Sequence, residues 1–173
     1  MIMYQVNDVV VFRRKVCRVI GKEKSDFTGE MCYVLEPYSA EEGQSVRMLV
    51  PVSNKGGHLR SLATKQEIDD LCRRADDVEL LESKPANMKS LYAAIMKGDS
   101  LDELVSVIKT SYLRNHERAL NHKKLASIDE EYLKKAEDFL YSEMSVALGI
   151  PYEDCADYFR KEVAKSLAEK KAA

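Results

Sequence analysis

The sequence contains no tryptophan, only seven glycines and four prolines, and no apolar run long enough to cross a bilayer. So little glycine and proline argues against long disordered linkers, and the short apolar runs argue against a membrane span. The opening residues MIMYQVNDVVVF carry no basic stretch ahead of their apolar residues, so they do not have the pattern of a signal peptide. We therefore expect a cytoplasmic protein without membrane contact.

Cysteine and histidine are also few, and their spacing does not suggest a metal site. The four cysteines are far apart and form no C-x-x-C pair, so we expect free, buried thiols: Cys17, Cys32, Cys72 and Cys155. The three histidines fall in predicted loops or at helix ends: His58, His116 and His122. No phosphate-binding loop or nucleophile–base–acid set stands out. The sequence thus predicts no metal, no cofactor and no enzyme.

The charges nearly balance, with 27 Lys and Arg against 29 Asp and Glu and a formal net charge of -2. A chain that is not a polycation must contact nucleic acid through a local cationic patch. We expect such contact to be weak and largely independent of base sequence.

The first 62 residues show short apolar bursts, most of them with alternation or period two, which is typical of strands. The bursts begin with Val9 to Phe12 and Val16 to Ile20, continue with Met31, Tyr33 and Leu35 and with Val46 to Val52, and end with His58 to Leu62. Turns are expected at Arg13-Arg14-Lys15, at Phe27 to Glu30, at Ser39 to Gln44 and at Gly56-Gly57. Five short antiparallel strands predict a small curled sheet or barrel.

After residue 62 the apolar period becomes 3.6, which predicts helices. Thr64 with Glu67 forms a capping-box pattern, and later helices are expected to begin near Asn87, Ser100, Asp129 and Pro151. Gly98 and Gly149 are expected to end the second and fourth helices. The third helix has an apolar stripe that we expect to face inward: Leu101, Leu104, Val105, Ile108, Tyr112 and Leu113. The fold class is therefore α+β, with a β-domain at about 1–62 and a helical domain at about 63–173.

Five segments, in order along residues 3–150, resemble the CarD type of RNA polymerase-binding regulators. They are YQVNDVVVF, GEMCYVLEP, VRMLVPVSNKGGHLRSL, IMKGDSLDELVSVIKTSYLRNHER and KKLASIDEEYLKKAEDFLYSEMSVALGI. Each motif is weak by itself, but five in the family's order are specific together. The same β-domain begins the polymerase-binding part of transcription-repair coupling translocases, whose helicase motifs this chain lacks.

The resemblance implies a Tudor-like antiparallel β-barrel that docks on the β subunit of a bacterial RNA polymerase. It also implies a helical domain at the upstream edge of the transcription bubble, where better-known members stabilise the open complex. A ligand that prefers opened DNA shifts the equilibrium by its differential affinity. We expect a noncatalytic monomer that binds the polymerase and modulates initiation at promoters.

Two departures from the family bear on the DNA contact. Many members wedge a tryptophan into the minor groove, whereas Lys84, Pro85 or Asn87 occupies that place here. Met88 is the nearest flexible apolar residue, but its helical spacing also suits a core. The turn that often carries basic residues reads Asp129-Glu130-Glu131, which we expect to repel phosphate.

Two sets of candidate contact residues follow. For the polymerase they lie on the strand before the Gly29 turn and on the Val-Pro strand: Lys22, Lys24, Asp26, Arg47, Leu49, Val50 and Pro51. The apolar members of this set would equally suit a barrel core. For DNA backbone the candidates are cationic: Lys84, Lys109, Arg114, Arg118, Lys123, Lys124 and Lys134. These would equally suit a solvated helix face.

Two rival hypotheses remain open from the sequence. The chain would be a polymerase-binding adaptor if the missing tryptophan and the acidic turn have removed productive DNA contact. It would be an enzyme of unrecognised type if a pocket gathered convergent polar groups.

Overall fold

The computed structural model describes residues 2–39, 46–82 and 84–173. Within these ranges the chain is α+β, as predicted, with five antiparallel strands followed by five α-helices. It divides into two compact units, Met1–Leu62 and Ala63–Ala173. Most of the predicted Ser39 to Gln44 loop lies outside the described residues. No helix in the described part is both long and apolar enough to span a membrane.

The five strands form one antiparallel sheet. Their bounds are β1 Val9–Phe12, β2 Lys15–Lys24, β3 Met31–Pro37, β4 Met48–Pro51 and β5 Leu59–Ser61. The order across the sheet is β4-β3-β2-β1-β5, so the described strands form an open sheet with β4 and β5 as its edges, not a closed barrel. The two-residue turn between β1 and β2 has φ 48° at Arg13 and φ 70° at Arg14, the left-handed conformation that tight hairpins use.

The sheet curls over a single apolar core. Alternate residues of each strand supply it, together with one tyrosine from the segment before β1: Tyr4, Val10, Cys17, Val19, Tyr33, Leu35, Val50 and Leu59. Residues from both edge strands, Val50 and Leu59, join this cluster, which fixes the curvature of the sheet. The Asn54 amide also holds β5 in place, because it donates a hydrogen bond to the carbonyl of Leu59 and accepts one from the N–H of Leu59.

The helical unit contains five helices in sequence. Their bounds are α1 Lys65–Arg74, α2 Met88–Met96, α3 Leu101–Leu120, α4 Ser127–Leu148 and α5 Tyr152–Ala172. Several predicted caps are confirmed: Thr64 Oγ1 accepts from the N–H of Glu67, Ser100 and Glu103 form a complete capping box, and Gly149 ends α4 at φ 67°. Asn87 precedes α2 without a capping side-chain hydrogen bond.

The predicted inward face of α3 is wrong for its C-terminal half. Tyr112 and Leu113 are exposed, whereas three polar residues of the same turns are buried: Thr110, Ser111 and Asn115. Thr110 Oγ1 accepts from the N–H of Leu81, and the Asn115 amide bonds the N–H and carbonyl of Ala126. The buried side of α3 thus satisfies backbone groups of two connecting segments, which apolar side chains cannot do.

The core of the helical unit is otherwise apolar and is shared by all five helices. Its fully buried members include Ile68, Leu71, Tyr92, Leu104, Leu140 and Met144. The core also contains buried carboxylates, of which that of Glu143 accepts from the N–H of Ala63 at 3.0 Å. All four cysteines are buried and unbridged, as predicted, and burial raises the pKa of Cys17 to about 11 and that of Cys72 to about 12.

Candidate binding surfaces

The edge strand β4 presents the first candidate surface. Leu49 is 43% exposed on β4, and Val46 and Arg47 are exposed directly before the strand, so Arg47 lies just outside the strand on which it was predicted. We name Val46, Arg47 and Leu49 the β4 edge. Val50 is only 4% exposed and belongs to the core, so its side chain does not serve as a surface contact. Pro51 is half-buried and has no N–H, so it limits backbone pairing at that end of the strand.

A cavity of about 320 Å³ opens beside β4. Leu49, Val50 and Pro51 line one side of it, and Phe12, Arg13 and His58 line it from the β1 end. Apolar walls with a few charged groups at the rim suit a partner's side chain. Leu49, the exposed residue of β4, therefore borders a concavity instead of a flat surface.

The hairpin between β2 and β3 carries the other polymerase candidates. Lys22, Lys24 and Asp26 are all exposed, and the Lys22 ammonium lies 5.3 Å from the centroid of the Tyr33 ring. At the tip of this hairpin Phe27 is 99% exposed, whereas its sequence pattern indicated only a turn.

Among the DNA candidates, Lys109 has a structural role. Its ammonium donates to the carbonyls of Ala75, Asp76 and Val78 at 2.6 to 3.1 Å. These carbonyls lie just beyond α1, in and after the single 3-10 turn Ala75–Asp77, where the regular hydrogen bonding of the α-helix has ended. A lysine with three protein acceptors has no remaining donor for a phosphate, so Lys109 is an unsuitable DNA contact.

Arg114 is likewise directed inward. Its Nε donates to both carboxylate oxygens of Asp129 at 3.1 Å, and the Tyr92 hydroxyl donates to the same carboxylate at 2.6 Å. Asp129 is fully buried, and Arg114 is largely so. Burial, and secondarily the bond to Asp129, raises the pKa of Tyr92. This cluster, the Asp129 network, joins α2, α3 and α4.

The expectation of an acidic, phosphate-repelling turn therefore needs correction. Asp129 is not on the surface and its charge is matched by Arg114. Glu131 is exposed but pairs with Lys135 at 2.7 Å, which lowers the pKa of Glu131. Of the three carboxylates, Glu130 is the exposed one left to oppose an approaching phosphate.

The remaining cations gather at the C-terminal end of α3. Lys123 and Lys124 are exposed, and Arg118 is half-buried with its Nη1 3.4 Å from the carbonyl of Lys124. We name these three residues the basic end. Lys84 lies apart and pairs with Glu82 at 3.1 Å. Lys134 lies in a groove with Glu130, Glu137 and Asp138, which is an unfavourable setting for DNA.

An exposed apolar surface lies next to the basic end and was not foreseen. Tyr112, Leu113, His116 and Leu120, which we name the α3 face, lie on the solvent side of consecutive turns, with Tyr112 at 59% and Leu120 at 67% exposure. The rings of Tyr112 and His116 stack, with centroids 5.7 Å apart and planes inclined by 11°. Helical spacing of four residues was visible in the sequence, but not the side of α3 that faces solvent.

In the described ranges no group of three or more His, Cys, Asp and Glu side chains is placed to hold a metal ion. Comparison of the chain with models of protein families and with curated proteins found no match.

Proposed function

We propose that this chain is a noncatalytic, CarD-type bacterial transcription regulator. In this proposal the N-terminal unit is a Tudor-like module that binds the β subunit of RNA polymerase, and the helical unit contacts promoter DNA. Support comes from the five resembling segments, whose junctions fall at element boundaries. YQVNDVVVF leads into β1, GEMCYVLEP spans a turn and β3, and the Gly-Asp of IMKGDSLDEL separates α2 from α3.

The observation that most favours polymerase binding is the β4 edge. An edge strand has unpaired backbone groups that another chain can extend, and its outward side chains provide specificity. Leu49 is exposed on β4 and, with Pro51, lines the cavity beside this strand, and the exposed Arg47 directly precedes it. An exposed leucine and valine at an edge strand are a liability for a protein that has no partner for them.

The DNA contact rests on the basic end. Arg118, Lys123 and Lys124 lie close in sequence, with Glu117 as their exposed acidic neighbour. Such a patch binds phosphates without reading bases. If it prefers opened DNA by about 1.4 kcal/mol, the open fraction rises roughly tenfold while that fraction is small.

Pull-down of the isolated β lobe of RNA polymerase by the intact protein tests the first half of the proposal. Replacing Leu49 by Glu should weaken capture by about tenfold, because a carboxylate would be desolvated at the interface. Val6→Glu is the matched control, since Val6 is exposed in the turn before β1 and away from β4 in sheet order. Absence of capture by the unmodified protein would refute the proposal.

A second candidate function is an adaptor that binds polymerase without productive DNA contact. The observation that favours it is the internal use of Lys109 and Arg114, which reduces the cationic patch. Binding of forked promoter DNA in the presence of polymerase discriminates the two. For a regulator, the double change Lys123→Glu and Lys124→Glu should weaken this binding and flatten its salt dependence.

The matched control for that experiment is Lys161→Glu with Lys165→Glu, which alters net charge equally on exposed positions of α5. Equal effects of the two double variants would indicate only a change in overall charge. No binding of forked DNA by the unmodified protein, despite polymerase capture, would support the adaptor.

A further inference from the structure

We propose that the α3 face is a stacking surface for unpaired nucleobases, and that this surface gives the helical unit a preference for single-stranded over duplex DNA. The inference rests on the DNA contact proposed above. It goes beyond it, because the basic end accounts for phosphate binding but not for any contact with bases.

The first observation is that the α3 face is largely apolar although it is exposed to solvent. Tyr112, Leu113 and Leu120 are exposed along two turns of α3, and Leu125 in the following connection is 41% exposed. Single exposed apolar residues are common, but a contiguous group of them in one place is typical of a binding surface. Three polar residues of these turns are instead buried and make hydrogen bonds to backbone groups: Thr110, Ser111 and Asn115.

The second observation is the geometry of the aromatic pair. Tyr112 and His116 are one helical turn apart, and their rings are nearly parallel. Because Tyr112 remains mostly exposed while it stacks on His116, part of its ring surface is still open to solvent. A positioned, flat ring system is what an unstacked base requires, and every base has a π-face that it can offer. Paired bases within a duplex cannot reach such a surface.

The third observation is charge, which selects the occupant. The basic end adjoins the α3 face, since Arg118 lies between His116 and Leu120 in sequence and Lys123 and Lys124 follow the helix. Glu117 is an exposed acidic residue of the same region. Tyr152 provides an internal contrast, since it is also exposed but lies in a groove lined by Glu137, Asp138 and Glu153. Exposed tyrosine is therefore not sufficient for this inference. The combination of an open ring with nearby cations favours a polyanion that carries aromatic bases.

The test is titration of the intact protein with a short fluorescent oligo-dT at low salt, compared with a duplex of equal length. Single strands should bind more tightly. Tyr112→Ala should weaken oligo-dT binding by at least about fivefold, since stacking of one base contributes strongly to such complexes. Tyr112→Phe should bind within about twofold of the unmodified protein because it retains the ring. Tyr152→Ala is the matched control and should leave the affinity unchanged.

A spectroscopic readout separates stacking from electrostatic attraction. An oligonucleotide containing 2-aminopurine should change its fluorescence when bound to the unmodified protein, and this change should be lost with Tyr112→Ala. The double variant at Lys123 and Lys124 should instead reduce the salt dependence of binding.

Three outcomes overturn the inference. Oligo-dT binding that is insensitive to Tyr112→Ala excludes stacking, even if the Lys123 and Lys124 double variant still weakens binding and so preserves the proposed DNA contact. Equal affinity for duplex and single strand excludes the preference. Concentration-dependent self-association in sedimentation, abolished by Tyr112→Ala, would assign the α3 face to a second copy of this chain. Failure of every DNA ligand with polymerase present would instead refute the DNA contact itself.

Discussion

Two parts of the helical unit, close to each other along α3, reverse the usual distribution of polar and apolar groups. The Asp129 network buries a carboxylate, a guanidinium and a phenol, whereas the α3 face exposes a tyrosine and two leucines. The buried charges all have partners, which is the condition under which a protein interior tolerates them. The apolar groups of the α3 face remain largely open to solvent, even though the Tyr112 ring stacks on His116. The difference suggests that the first is a structural element and the second a binding surface.

Removing the carboxylate of the Asp129 network should have the largest effect on stability. Asp129→Ala leaves the Arg114 charge and the Tyr92 hydroxyl buried without their acceptor, and it should lower the free energy of unfolding by about 3 to 5 kcal/mol. Urea denaturation followed by far-UV circular dichroism measures this change.

Asp70→Ala is the matched control for the Asp129 prediction. Asp70 also bonds an arginine, Arg73, but both side chains are about half exposed. The bonds from Arg73 and Gln66 lower the pKa of Asp70, yet water screens a pair at the surface. We expect no measurable loss of stability. A loss equal to that of Asp129→Ala would contradict the distinction between buried and exposed ion pairs.

Truncating leucines on opposite sides of α3 sharpens the comparison. Leu104 is fully buried, and Leu104→Ala should cost about 2 to 5 kcal/mol through lost contacts and the cavity that remains. Leu113 is exposed on the α3 face, and Leu113→Ala should cost less than about 1 kcal/mol. The same denaturation experiment applies to both. Similar costs for the two variants would mean that Leu113 packs in a core, as its sequence spacing suggested.

Alkaline pH should lower the free energy of unfolding of the helical unit, because buried acidic groups lose their protons there. Burial raises the pKa of Cys72 from 9.0 to about 12, so the unfolded chain releases this proton before the folded protein does. Stability from this group is complete below pH 9 and falls as pH rises toward 12. By about pH 11 the loss from Cys72 alone is of the order of 3 kcal/mol, and the raised pKa of Tyr92 acts in the same direction.

Denaturant midpoints measured across this pH range test the sign of the linkage. Cys72→Ala lowers the starting stability but should also reduce the slope of stability against pH, because its titration is removed. An unchanged slope would show that Cys72 does not contribute to the alkaline loss.

The sequence predicted the strands and several helix ends because these depend on neighbouring residues. A short apolar run marked β1 and period two marked β3, and Thr64, Ser100 and Gly149 are local signals whose partners lie within five residues. The sequence did not predict the Asp129 network, since Arg114 and Asp129 meet only after α3 and α4 pack. A charged residue is expected at the surface when its partner is unknown. The pairing of Asp129 with Arg114 allows both side chains to be buried instead.

The α3 stripe shows a different reason for failure. Period 3.6 identifies a helix and one candidate face, but it assumes that the buried side is the apolar one. Here Thr110 and Asn115 occupy the buried side because the segments at Leu81 and Ala126 need hydrogen-bond partners. The sequence pattern likewise does not distinguish the two lysines Lys109 and Lys123. Lys109 donates hydrogen bonds to backbone carbonyls, whereas Lys123 is exposed.

The smallest expected effect on stability concerns the N-terminal caps of α3 and α4. α3 begins with a capping box at Ser100, whereas α4 begins at Ala126, which has no capping side chain. Ser100→Ala should cost about 1 kcal/mol, and Ala126→Ser should gain a few tenths because Ala126 already has the extended backbone of a cap. Thermal denaturation of both variants measures the pair. The Asn115 amide accepts a hydrogen bond from the N–H of Ala126 and donates one to its carbonyl. A loss of stability in Ala126→Ser would therefore show that this position tolerates no hydroxyl. It would mean that the contact with Asn115, and not a capping side chain, determines where α4 begins.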